Sequence, residues 1–143
     1  LSTLCTFQNF GSLSLGQDKL DFIQNIDLLW LKADRIEYAF EIENTTAITE
    51  AINRCTNIPP EHQTTKCIVI PEERRALLYK KVNSELLKER VAKEGWRFIY
   101  YTDLERFFNE TKGRKQIQVA DFKVIFQTTV ELPKVEAQAI LPI

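Results

Sequence analysis

The sequence has few of the residues that mark specialised classes of protein. Its 143 residues include no methionine, four glycines, five prolines and one histidine, His62. It has no low-complexity tract and no excess of glycine or proline, so its composition is that of an ordinary globular chain. His62 lies in a loop sequence with no cysteine or other histidine nearby. This disfavours mechanisms that need a Ser–His or Cys–His pair.

The chain also lacks the signals of export and membrane insertion. No apolar run approaches the roughly 20 residues that span a bilayer, and the first residues have no basic segment of the kind that begins a signal peptide. We therefore expect a protein that does not enter a membrane. Because there is no starting methionine, we also expect either a fragment of a larger protein or omitted residues, which would compress some spacings.

Cysteine usage and net charge narrow the class of protein only in part. Cys5, Cys55 and Cys67 are odd in number and widely separated. They form no CxxC pair and so give no sign of a structural zinc site. We expect reduced, mostly buried thiols in a cytoplasmic protein. The formal net charge of −1 neither requires nor excludes a nucleic-acid partner, because active-site carboxylates can offset basic residues elsewhere.

Hydrophobic periodicity predicts a β-hairpin followed by alternating helices and strands. Residues 26–32 form an apolar run typical of a buried strand, and residues 36–43 alternate, which places Ile36, Tyr38, Phe40 and Ile42 on one face. A polar turn at 33–35 would join the two strands. Before this hairpin, residues 20–23 either end a short helix or lead into a strand.

The rest of the chain completes an α/β pattern. The further predicted elements are a helix ending before Pro59, a strand at 66–70, helices at 71–83 and 84–94, a strand at 96–101, a short helix capped by Asp103 and a strand-like tail after residue 115. This order predicts an α/β fold with a mixed sheet flanked by helices. We interpret residues 1–143 as a single domain with a core over about 20–110 and a C-terminal extension over 112–143.

Three acidic side chains fall on one patch of the predicted hairpin. If the turn centres on Asp34, Asp27 lies opposite Glu41, because both are equally far from the turn. Glu43 shares the face of Glu41, because side chains alternate along a strand. Cross-strand partners have Cβ atoms about 4.5–5.5 Å apart. The sequence therefore predicts three neighbouring carboxylates near one end of the hairpin.

Such a cluster can hold a metal ion or can be an ordinary polar surface. Close acids repel one another and are costly to desolvate, and a hard divalent cation relieves both effects. The metal would activate a water for phosphodiester hydrolysis. The alternative is the solvated face of an antiparallel sheet. The solvated-face alternative suits Glu37. It suits Asp27 less well, because Asp27 lies between apolar neighbours, where a buried acid requires a functional explanation.

The hairpin resembles a known family. The stretch Ile26-Asp27-Leu28-Leu29-Trp30-Leu31, followed by Ala39-Phe40-Glu41-Ile42-Glu43-Asn44-Thr45-Thr46, is similar to restriction-endonuclease-like proteins of the PD-(D/E)xK nuclease superfamily. In that superfamily an Asp begins one strand of a hairpin, (D/E)xK ends the next strand, and a helix follows. The resemblance covers about residues 26–108 and is specific across 26–46.

Two positions depart from the pattern of that superfamily. Ile26 stands where the motif has Pro, which is common among its members. Glu43 stands in place of the Lys, which is usually thought to position or deprotonate the attacking water. Some restriction enzymes have Glu there, and a carboxylate could bind metal or act as a general base if its pKa is suitable. A relocated basic residue is a second solution, with Arg54 as a candidate, and a solvent-facing Arg54 is the alternative.

The resemblance implies a restriction-endonuclease-like fold and a metal-dependent DNA endonuclease. Asp27 and Glu41 would bind Mg²⁺, which Mn²⁺ could replace, and Glu43 would bind metal or help to activate water. The partners implied are DNA, a second copy in a homodimer that cuts two strands, and further domains of a larger chain. The alternative functions are a catalytically inactive nuclease-like module that binds nucleic acid or a protein partner, and a purely structural domain.

The helix after the hairpin supplies the predicted DNA contacts. Thr45 and Thr46 have a simple role as helix caps, and in the functional interpretation a hydroxyl or the helix N-terminus contacts a phosphate. Asn53 and Arg54 lie on the polar side of the same helix. The resemblance places that helix beside the site, so both side chains would touch the DNA backbone.

Overall fold

A computed structural model describes residues 13–43 and 48–132. In chain order the elements are α1 (Gln17–Ile23), β1 (Leu28–Lys32), β2 (Arg35–Ile42), α2 (Ile48–Thr56), β3 (Thr65–Ile70), α3 (Arg75–Val82), α4 (Lys88–Glu94), β4 (Arg97–Tyr100), α5 (Tyr101–Thr111) and α6 (Val119–Lys123), with 3₁₀ turns at Pro60–His62 and Glu72–Arg74. Within the described ranges, no helix combines the length and apolar character needed to cross a bilayer.

The four strands form one mixed sheet in the order β1-β2-β3-β4. β1 runs antiparallel to β2, whereas β2, β3 and β4 run parallel to one another. Parallel strands need crossover connections, which α2 provides between β2 and β3, and α3 and α4 provide between β3 and β4. The predicted α/β fold with a mixed sheet flanked by helices is confirmed.

The hairpin of β1 and β2 carries a bulge. Lys32 pairs with Arg35 across a turn of two residues, of which Ala33 has a positive φ of 55°. The register then shifts between Trp30 and Leu31, so that Leu28 pairs with Phe40. A bulge adds one residue to one strand and reverses the alternation beyond it. The register at the Asp27 end is therefore the predicted one, although the turn is not centred on Asp34.

Both faces of the sheet are buried, which follows from helices packing on each side. One core contains Ile36, Ala39 and Ile68 with the apolar stripe of α2, and the other contains Tyr38, Phe40 and Ile99 with side chains from α5 and α6. The prediction that Ile36, Tyr38, Phe40 and Ile42 share a face is wrong for Ile36, because the bulge moves it to the opposite core. Ile42 is on the surface, with 49% of its area exposed.

Several predicted elements are confirmed and others need correction. Residues 20–23 end helix α1, which is the first of the two alternatives. Asp103 lies within the first turn of α5 and is not its N-cap, which is Tyr100. The strand-like tail is wrong: Gln118 and Asp121 form a capping box that begins α6. The tail's strand pairing among the described residues is a single bridge between Phe98 and Gln127.

The predicted state of the cysteines is confirmed for the two that are described. Cys55 and Cys67 are free, buried thiols on opposite sides of the sheet. Burial raises the pKa of both thiols, that of Cys67 to about 12. A thiol is a nucleophile only as its thiolate. These residues therefore serve as packing side chains and not as reactive groups, and Cys5 lies outside the described residues.

Candidate active site

Asp27 links the beginning of β1 to the end of β2. It is exposed and immediately precedes β1. Its Oδ2 accepts a hydrogen bond of 2.7 Å from the backbone N–H of Ile42. Burial is the main cause that raises the pKa of the Glu41 carboxyl, and the charge of Asp27 and a side-chain hydrogen bond between the two carboxyls raise it further. The local register thus sets the two predicted acids side by side, while one of them remains open to solvent.

Glu41 is fully buried and forms a bidentate ion pair. Its side chain has no exposed area, and α2 packs over the face of the sheet to which it points. The Nε of Arg54 donates to Oε1 and the Nη2 donates to Oε2, each at 2.8 Å. Two parallel charge-assisted bonds of this length fix the geometry of both partners. The guanidinium of Arg54 is therefore part of the acidic site.

Glu43 lies just beyond β2, at the edge of the sheet where the parallel strands end. It is 1% exposed, and its backbone N–H donates to the carbonyl of Val69 at 2.8 Å. Its own carbonyl accepts a hydrogen bond of 3.4 Å from the hydroxyl of Tyr101. The charges of Glu41, Asp27 and Glu43 all raise the pKa of Arg54. The three predicted acids therefore surround one region of the molecule.

Burial controls the ionisation of Glu41. Desolvation raises the pKa of its carboxyl to about 7, and the charge of Asp27 adds to this rise. The hydrogen bonds and charge of Arg54 act in the opposite direction and do not cancel the cost of burial. Reciprocally, the bonds to Glu41 raise the pKa of Arg54, so the guanidinium is charged opposite the carboxyl.

The raised pKa of Glu41 predicts a dependence of stability on pH. The carboxyl has an ordinary value of 4.5 and a folded value of about 7. Between these pH values the folded state holds a proton that the unfolded state has released. The unfolding free energy should thus fall as pH rises from about 4.5 to about 7, by roughly 3 kcal/mol at 1.36 kcal/mol per unit, and this contribution should be constant above pH 7.

Chemical denaturation of the wild type and of Glu41→Gln from pH 5 to pH 8 measures this contribution. The amide does not titrate and has a similar volume, so the difference between the two curves isolates Glu41 from the other acids. We expect the wild type to lose stability relative to the variant as pH rises to 7. Parallel curves over the whole range would contradict the assignment of a raised pKa to Glu41.

The donor set suits a hard divalent cation in its chemistry. Mg²⁺ prefers carboxylate oxygens and keeps several waters, so one or two carboxylates are enough. Asp27 has an oxygen beyond the one bonded to Ile42. A carboxylate has about four acceptor positions, of which Arg54 occupies two on Glu41. Across the described ranges, no group of three or more His, Cys, Asp or Glu side chains is placed so that it could hold a metal ion.

The predicted DNA contacts differ in where the structure places them. Thr45 and Thr46 lie outside the described residues. Asn53 is exposed on α2, and its Oδ1 accepts a hydrogen bond of 3.0 Å from Nη1 of Arg90. Arg54 is not the solvent-facing residue of the alternative interpretation, because its side chain is only 25% exposed and is bonded to Glu41. Of the two predicted contacts that the structure describes, Asn53 is exposed on the surface and Arg54 is not.

Two residues near the acids were not identified from the sequence as part of the site. Desolvation raises the pKa of Tyr101, the charges of Glu43 and Asp27 raise it further, and the charge of Arg74 lowers it. The charges of both acids and of Arg74 thus act on one phenol. Both residues follow parallel strands, whose carboxyl ends meet at one edge of the sheet. That topology was the available signal in the sequence.

His62 has a structural role at the other end of the hairpin. Its Nδ1 accepts a hydrogen bond of 2.9 Å from the backbone N–H of Ile36, near the beginning of β2. Glu41 lies five residues further along the same strand. A nitrogen that accepts a hydrogen bond carries no proton, so the imidazole proton is on Nε2. His62 therefore fixes the loop before β3 and takes no part in the acidic site.

Comparison with known proteins relates the whole site to one family. The family model described as the type II restriction enzyme NmeDI C-terminal domain matches residues 4–127. The matched region contains the hairpin, all four strands and every helix through α6, so it includes the three acids, Arg54 and Tyr101. No curated protein and no solved structure matches the chain.

Proposed function

The chain belongs to the family of the type II restriction enzyme NmeDI C-terminal domain, and from this we propose that it is a metal-dependent DNA endonuclease domain that hydrolyses phosphodiester bonds. The observation that carries the proposal is the position of Asp27, tied to the end of β2 by its bond to Ile42 and set beside Glu41. This arrangement supports a PD-(D/E)xK type of site, with Glu43 at the position of the motif lysine.

Each acid has a distinct role in this proposal. Asp27 and Glu41 would hold Mg²⁺ or Mn²⁺, which when bound activates water and stabilises charge on the phosphate oxygens. Asp27 would bind the metal from the solvent-exposed side of the site, and Glu41 would bind it from the buried side. Glu43 would orient the attacking water and accept its proton, or would add a further oxygen ligand. Burial of Glu41 and Glu43 limits the number of waters that compete for these positions.

The substrate and its contacts follow from the same family membership. We propose DNA as the substrate, with Asn53 on the surface of α2 and Thr45 and Thr46 before it as backbone contacts. The edge of the sheet that carries the acids also carries Arg74, whose charge reaches Tyr101. A cation beside the acids favours a phosphate over a neutral substrate.

A cleavage assay on supercoiled and linear DNA tests the proposal. The whole chain is incubated with Mg²⁺, with Mn²⁺ or with EDTA, and the products are separated by electrophoresis. We expect cleavage with either metal and none with EDTA. Cleavage that persists in EDTA would refute metal dependence, and intact DNA under every metal condition would refute the activity.

A second candidate function is a nuclease-like module without activity that binds nucleic acid or a protein partner. Glu43 in place of the lysine and the bidentate pairing of Glu41 with Arg54 favour it. Calorimetry with Mg²⁺ and Mn²⁺ separates the two functions. A catalytic site should bind metal in a way that depends on Asp27 and Glu41. An inactive module could shift the mobility of DNA on a gel and yet bind no metal.

A further inference from the structure

We propose that Arg54 is a positioning residue of the acidic site, which holds the Glu41 carboxylate in one orientation and leaves its remaining acceptor positions on the side of Asp27. This inference rests on the proposed function, because the orientation matters for the metal that Asp27 and Glu41 would bind. It replaces the expectation that Arg54 touches the DNA backbone, since its guanidinium is already bonded within the protein.

The bidentate bond restricts the one torsion of Glu41 that burial leaves free. The terminal torsion of a glutamate is broad, so packing alone does not set the direction of its oxygens. Nε and Nη2 of Arg54 each take one oxygen at 2.8 Å, and this fork defines the plane of the carboxylate. A lysine ammonium is a single point charge and cannot define that plane.

The helix that carries Arg54 is itself firmly placed. α2 buries Ile48, Ala51, Ile52 and Cys55, each with at most 1% of its area exposed. Arg54 is adjacent in sequence to the last of these and approaches Glu41 from the helix side. The packing of α2 on the sheet therefore fixes the position of the Glu41 carboxylate through the two hydrogen bonds from Arg54. Partners that orient a metal ligand in this way typically contribute ten- to a hundredfold to metal affinity or activity.

The geometry also distinguishes positioning from competition. If Arg54 only neutralised Glu41, a metal ion would have to displace it, and removing the arginine would strengthen metal binding. If Arg54 orients Glu41, the guanidinium stays in place when metal binds, and removing it weakens binding. Arg54 occupies one acceptor position on each oxygen of Glu41, and a carboxylate has about four such positions, so a metal ion can bind without displacing the guanidinium. This favours positioning.

The test measures Mn²⁺ affinity by calorimetry on the whole chain without DNA. The variants are Arg54→Met, which keeps length and removes the charge, and Arg54→Lys, which keeps charge and loses the fork. The control is Arg90→Met on α4, whose guanidinium donates to Asn53 and Thr56. We expect Arg54→Met to weaken Mn²⁺ binding by about ten- to a hundredfold, Arg54→Lys to be intermediate, and Arg90→Met to match the wild type.

Each outcome decides the proposal. Unchanged or tighter binding in Arg54→Met, with normal binding in the wild type, overturns the positioning role and leaves the proposed function intact. If the wild type binds no Mn²⁺, the metal site itself fails, and with it both proposals. Should Arg54→Met not fold, as judged by circular dichroism, Arg54→Lys decides alone, because wild-type affinity in that variant would show that the fork is not needed.

Discussion

Asp27→Asn should reduce metal-dependent DNA cleavage by at least about a hundredfold, since even the outer partners of metal ligands typically contribute ten- to a hundredfold. The amide oxygen can still accept the hydrogen bond from Ile42 that Oδ2 accepts in the wild type, while the charge needed for a divalent cation is lost. Because Asp27 is exposed, the fold should be unaffected. Initial rates of DNA cleavage in Mg²⁺ and thermal unfolding of both proteins measure the two effects.

Asp34→Asn is the matched control for this prediction. Asp34 is an exposed acid of the same hairpin, but it lies in the turn at the opposite end from the three acids. Its substitution changes the net charge by the same amount and should leave the cleavage rate near that of the wild type. Equal losses in the two variants would indicate a general effect of charge on DNA binding, and an unimpaired Asp27→Asn would remove Asp27 from the site.

Removal of one partner of the buried ion pair should destabilise the protein. At pH 8, where Glu41 is largely ionised in the fold, Arg54→Met leaves a buried carboxyl without its partner, which must either stay charged or take up a proton. Breaking buried pairs typically costs 3–5 kcal/mol, and the partial exposure of Arg54 lowers our expectation to roughly 2–4 kcal/mol. Equilibrium denaturation in urea gives this value directly.

The double variant Glu41→Leu with Arg54→Met is the control for that loss. Replacement of both partners of a buried pair by apolar side chains is often neutral or stabilising, so its stability should lie within about 1 kcal/mol of the wild type. The double-mutant cycle then reports the coupling between the two side chains. If Arg54→Met alone cost less than about 0.5 kcal/mol, the pair would behave as an exposed surface pair, and the bidentate geometry would be contradicted.

The register of the hairpin near Asp27 could be predicted because two deviations from the assumed geometry, one in the turn and one at the bulge, cancel. The turn is centred between Ala33 and Asp34, one half-residue before the assumed centre, and the bulge next to Trp30 restores the register toward Asp27. Alternation alone gave the faces of Tyr38 and Phe40 correctly. It could not give the face of Ile36, because a bulge leaves no sign in a pattern of alternating apolar residues.

The contact between Glu41 and Arg54 could be predicted only as a possibility. The apolar stripe of α2 ends at Cys55, and the sequence placed Arg54 on the polar side of this helix. A rotation of the helix by a few tens of degrees decides whether that side chain points to solvent or to the sheet, and packing of the whole domain sets this rotation. The pairing is therefore a tertiary property that local sequence does not encode, because the two residues lie 13 positions apart.

The C-terminal tail was predicted wrongly for a different reason, because a local signal in its sequence was missed. The apolar residues of the predicted strand-like tail mix spacings of two, three and four, at Val119, Phe122, Val124 and Phe126. Gln118 and Asp121 stand at the spacing of a capping box, which predicts the beginning of a helix. Phe122 then packs on Phe107 and Phe126 in the second core, where a strand would have placed it differently.

A crystal structure of the whole chain in Mn²⁺, with anomalous scattering measured for the metal, tests the central claim most directly. We expect an anomalous peak about 2.0–2.3 Å from oxygens of both Asp27 and Glu41, as for a hard cation on carboxylates, with the guanidinium of Arg54 still bonded to Glu41. A structure at saturating Mn²⁺ with no peak between Asp27 and Glu41 would contradict the assignment of a metal-dependent nuclease site to this hairpin.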